Sequence, residues 1–146
     1  MAEKDPYAAG KFTVNPYAAK RDVTGTLAVV LDGKMEDRGL ELIRPISRCL
    51  RKYEIHELIL TDEVDAKPGS AVNRIAYLGF VELEQGGVVV SGDKLLLDGE
   101  IIGTLAGFDE THMPNHLNIV VKTDRLATGA ERGAGLGLPV RFTTHT

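Results

Sequence analysis

The sequence predicts an α+β fold: a single domain dominated by a small, strongly bent antiparallel β-sheet or β-barrel, with one or two short helices. Three observations carry that reading. After Phe80, short apolar runs alternate with glycine turns, the spacing of small β architectures. Between residues 44 and 53, apolar residues recur at helical offsets. The chain has 146 residues, enough to bury one core and too few to need a second.

Residues 1–22 read as an N-terminal arm or tail, and residues 23–146 as one β-rich domain. The arm repeats itself, "DPYAAGK" at 5–11 being echoed by "NPYAAKR" at 15–21. Asp-Pro and Asn-Pro initiate turns, because proline fixes its own φ and restricts its predecessor. Tyr7 and Tyr17 could seat such an arm on a neighbouring subunit, since tyrosine is enriched at interfaces.

"TGTLAVVLDG" (24–33) reads as a strand closed by the Asp32-Gly33 turn. "RPISRCLRKY" (44–53) reads as a helix, with Pro45 at its first position and Ile46, Cys49, Leu50 and Tyr53 on one apolar stripe. That placement implies a buried, inert Cys49. It also puts Arg44, Arg48, Arg51 and Lys52 on the opposite face, with Arg38 nearby. Such a stripe is a solvated helix face or a surface for an anionic partner.

"EIHELILT" (54–61) reads as a strand. "SAVNRIAYLGF" (70–80) fits a short helix capped by Ser70, and equally the start of a strand running to Glu84; the helix is preferred. "VELE", "VVV", "KLLL", "EIIGTLAGF" and "HLNIVVK" follow as strands, with Asp98-Gly99 as a hairpin turn. "GAERGAGLGLP" (129–139) is a glycine-rich loop without nucleotide-binding spacing. A last strand covers Val140–Thr143.

Composition narrows the function. Hydrophobic content is 43% and charged content 26%, as in globular proteins generally. A net charge of −4 and the absence of tryptophan argue against nucleic-acid binding. No apolar run approaches the ~20 residues of a membrane span. One cysteine, with no apolar secretory leader, leads to an expected cytoplasmic location and excludes multi-cysteine zinc.

The chemistry concentrates in "GFDETHMPNHLNIVV" (107–121). Half of the chain's four histidines fall within five positions there. Pro114 opposes a helix, so His112 and His116 are not expected to share a helical face. A hairpin of 101–109 with 116–122 would instead set Asp109 and His116 at its mouth, with His116, Asn118 and Val120 on one face. Imidazoles with a carboxylate suit Zn²⁺, Fe²⁺, Mn²⁺ or Ni²⁺. The expected metal ligands are His112, His116 and Asp109, and the expected ligand-binding residues are Asp109, Glu110 and Asn118. Without metal, one histidine and a carboxylate could do acid–base work. A polar turn between two strands is the plain alternative.

The functional reading is a small protein binding a divalent metal or a small molecule at 109–118, with a reaction, if any, that the sequence does not name. The competing reading is a non-catalytic accessory subunit that uses the arm and the domain surface, as a homo-oligomer or in a larger complex.

Overall fold

A computed structural model of the chain describes residues 16–144. Twelve strands follow one another: β1 (Val23–Val30), β2 (Lys34–Met35), β3 (Leu40–Glu41), β4 (Ser47–Leu50), β5 (Ile55–Thr61), β6 (Ala71–Val72), β7 (Ile75–Gln85), β8 (Gly87–Val90), β9 (Lys94–Leu97), β10 (Glu100–Asp109), β11 (Asn118–Lys122) and β12 (Pro139–Thr143). Eight of them form one sheet in the order β1-β12-β9-β10-β11-β5-β7-β2, and β1 also pairs with β7. The pairings are antiparallel except β11 with β5, which run parallel. Two small ladders, β3 with β6 and β4 with β8, complete the structure.

The fold class is corrected by this architecture. It is all-β and built on a large mixed sheet, in place of an α+β domain with a small antiparallel sheet or barrel. No helix forms among the described residues. Residues 47–50 pair with the apolar run Gly87–Val90, burying Leu50. Those valines need a β partner for their backbone, and that demand outweighs a helical spacing built from one short turn-rich stretch. Cys49 points outward and is exposed, contrary to the buried thiol expected. The basic stripe dissolves with the helix: Arg48 pairs with Glu110, and the Lys52 ammonium lies 5.0 Å from the Tyr53 ring centroid.

Residues 70–80 are also strand rather than helix. The Ser70 hydroxyl accepts from the Lys67 amide at 3.0 Å and donates to its carbonyl at 2.8 Å, closing a turn instead of capping a helix. Gly79 lies where β7 crosses β1; a Cβ there would come within 2.2 Å of the Val29 carbonyl oxygen, so the crossing requires glycine. The Asp98-Gly99 turn is as expected, with φ of 52° and 81°.

Two cores sit on opposite faces of β5 and β11. Leu58, Leu60, Ile119 and Val121 join Phe108, Phe142 and Leu105 on one side. Ile59 and Val120 join Leu40, Leu42, Val72 and Ile75 on the other. Strands covered on both faces read as continuous apolar runs, which is how "LIL" and "IVV" read. Along residues 117–121 the expected face of Asn118 and Val120 is buried, and so is the alternate face of Leu117, Ile119 and Val121.

Of the arm, residues 5–11 and Asn15 lie outside the described residues, as does His145. The described end lies against the sheet, with Lys20 Nζ 2.6 Å from buried Asp93 and Arg21 Nε donating to the Gly86 carbonyl at 2.9 Å.

Candidate metal site

The parallel pairing of β5 with β11 creates a polar row across an otherwise apolar face. Asp109 on β10 stands opposite Asn118 on β11, Asn118 beside Glu57 on β5, and Glu57 opposite Phe80 on β7. Residues in register on neighbouring strands share a face, so these four side chains form one line. Asp109, Asn118 and Glu57 are all buried.

Asp109 anchors the loop that follows it. One carboxylate oxygen accepts from the Glu41 amide at 2.9 Å. The other accepts from the Thr111 amide at 2.9 Å and from the Asn118 carboxamide at 3.1 Å. Burial pushes the Asp109 carboxyl upward, but the hydrogen bonds from Thr111, Glu41 and Asn118 outweigh it and hold the group below the usual value.

The loop then coils. The Met113 amide donates to the Glu110 carbonyl at 3.0 Å, the Asn115 amide to the His112 carbonyl at 2.9 Å, and the His116 amide to the same carbonyl at 3.3 Å. These turns stack the rings of His112 and His116 with centroids 5.0 Å apart. Proline excludes a regular helix, yet one i→i+4 bond suffices to bring the pair to the same face. Phe80 meets His116 edge-on at 5.0 Å and walls the other side.

His116 Nε2 lies 3.1 Å from Glu57 Oε1. Its Nδ1 lies 2.9 Å from the Asn115 side-chain carboxamide nitrogen. A carboxylate accepts, so Nε2 carries the proton and Nδ1 accepts from Asn115. His112 is more exposed, and its Nε2 accepts from Arg38 Nη2 at 3.3 Å. One donor atom each from Glu57, His112 and His116 lies within 4.8 Å of the others, so the three could hold a metal ion.

The sequence-predicted residues divide accordingly. His112 and His116 come together, and the carboxylate beside them is Glu57 rather than Asp109. Asp109 and Asn118 bond to each other one strand away. Glu110 turns outward to Arg48. His56 lies on the other face of β5, its Nδ1 accepting from the Leu117 amide at 3.0 Å and its Nε2 3.1 Å from Glu54, so it clamps the end of the loop.

Residues 17–143 match a family described as a family of unknown function, DUF6917. The chain belongs to that family. Neither the curated proteins nor the solved structures give a match. No described helix is long and apolar enough to cross a membrane.

Glu57 escaped sequence reasoning, and Arg38 entered it only as a neighbour of the basic stripe at 44–52. Glu57 gave one signal, a charged residue inside the apolar strand "EIHELILT". Arg38 stood out only by its charge near that stripe, because only the folded chain brings it across to His112. The glycine-rich segment is not over this site: Gly133 and Ala134 line an open cleft of about 1040 Å³ with Leu97, Ile102, Thr123 and Arg132, beyond the opposite end of β11.

Proposed function

We propose that this DUF6917 protein binds one divalent transition-metal ion through Glu57, His112 and His116, leaving positions on the ion open to a small-molecule ligand. The observation that carries this reading is Glu57. Among the described residues, the only side-chain partner of this buried carboxylate is His116. Burying a charge so sparsely hydrogen-bonded is costly, and an ion between the carboxylate and the imidazoles offsets that cost.

Two further features support it. Asn118 Oδ1 is buried without a hydrogen-bond partner in the row beside Glu57. A bound ion carries water, and such a water could satisfy that oxygen. The His116 Nδ1 contact with Asn115 supplies the outer partner that a ligating histidine needs, the amide turning to accept once Nε2 takes the ion. Two imidazoles and one carboxylate suit Zn²⁺ or Fe²⁺ with open positions, and also accommodate Mn²⁺ and Ni²⁺.

The test is isothermal titration with Zn²⁺ and with Co²⁺, on the parent protein and on His112→Ala/His116→Ala. The parent should take up one equivalent and the double variant none, with circular dichroism unchanged. Equal uptake by both proteins would refute the assignment.

A further inference from the structure

The metal reading leaves the contact of Arg38 with His112 unexplained, and that contact bears on the ligand. A neutral imidazole has one ring lone pair, and the His112 pair is engaged by Arg38 Nη2 at 3.3 Å. An ion that takes Nε2 displaces the guanidinium. An ion that takes Nδ1 moves the ring proton to Nε2, which then faces the arginine N–H and repels it. By either route, loading His112 frees Arg38 donors at the edge of the ion.

Arg48 is paired with Glu110, and Arg74 with Glu36 and Asp62, whereas Arg38 has no carboxylate ion pair among the described residues. Its Nε donates to the Tyr77 hydroxyl at 3.1 Å and its amide to the Asn73 carbonyl at 3.0 Å. The first bond tethers the side chain beside the site, the second fixes its backbone, and neither neutralises the guanidinium. A half-buried guanidinium next to an open divalent ion is complementary to a planar, multi-oxygen anion.

We infer that Arg38 is the anion-binding arm of this site, and that the ligand completing it is a small oxyanion, a carboxylate or a phosphate. One ligand oxygen would reach the ion and another the guanidinium. Tyr77 would act as a positioning residue, aiming Arg38 through Nε. This inference rests on the proposed metal site and is tested so that the two can fail separately.

The probe is Co²⁺-loaded protein, whose visible absorption reports changes at the ion, titrated with acetate and with inorganic phosphate. In the parent, one or both anions should perturb the spectrum at millimolar concentration, and the tighter one names the ligand class. Arg38→Ala should weaken that response at least tenfold while Co²⁺ binds as tightly as in the parent or more tightly, because its competitor for His112 is gone. Arg38→Lys, with the charge but not the fork, should fall between. Those opposite signs are what a merely structural arginine would not give.

An unchanged anion response in Arg38→Ala would overturn the inference. So would a parent spectrum indifferent to both anions, with the metal site left standing. Parallel loss of Co²⁺ and anion affinity in Arg38→Ala would make the residue structural and overturn it too. A parent that binds no Co²⁺ would remove the metal reading and this inference together.

Discussion

Asp109 and Glu57 lie in the same cross-strand row, both buried, with Asn118 between them. Asp109 is enclosed by donors from three directions, two backbone amides and one carboxamide. Glu57 has one imidazole. The chemical type is the same and the burial similar, yet one carboxylate fastens the loop to the sheet and the other meets a single histidine, the arrangement on which the proposed metal site rests. Residue type and proximity in sequence therefore point to Asp109, whereas the sparse hydrogen bonding of a buried carboxylate points to Glu57.

The largest expected effect separates the two by stability. Asp109→Ala strands the Glu41 and Thr111 amides and should cost about 3 kcal/mol in urea denaturation. Glu57→Gln, isosteric and still able to accept from His116, should cost less than about 1 kcal/mol. Equal losses would erase the distinction. Next, His116→Ala should lower Zn²⁺ affinity by about a hundredfold or more, measured by competition with a chromophoric chelator, because it removes a ligand. Asn115→Ala should lower it by about tenfold, since it removes only the group that orients the ring.

The smallest effect is the pH dependence of Asp109. Its folded-state pKa lies below its unfolded value, so between the two the unfolded chain binds more protons. The contribution is complete above the ordinary carboxylate range and is lost as pH falls through the folded value. The melting temperature of the parent should drop over that acid window, and Asp109→Asn should flatten the drop. An equally steep drop in the variant would place the effect on other carboxylates.

Much of the sheet was legible because strand periodicity and turn chemistry are local. "LIL" and "IVV" announced strands, and Asp98-Gly99 its hairpin. The helices were misread where local spacing conflicted with distant pairing: Ser47–Leu50 meets Gly87–Val90 some forty positions away, and no window around Cys49 contains that partner. The candidate site divides the same way. His112 and His116 stood out as a dense pair in one loop. Glu57 did not, because its place beside them depends on a parallel ladder between strands about sixty residues apart. Arg38 depends in turn on the loop closing over that ladder.

The most direct test is metal content by elemental analysis of protein purified without chelators, for the parent, Glu57→Ala and Asp109→Asn side by side. Near-stoichiometric transition metal in the parent and in Asp109→Asn, with none in Glu57→Ala, is the predicted result. Metal kept by Glu57→Ala and lost from Asp109→Asn would contradict it, and would return the carboxylate ligand to Asp109.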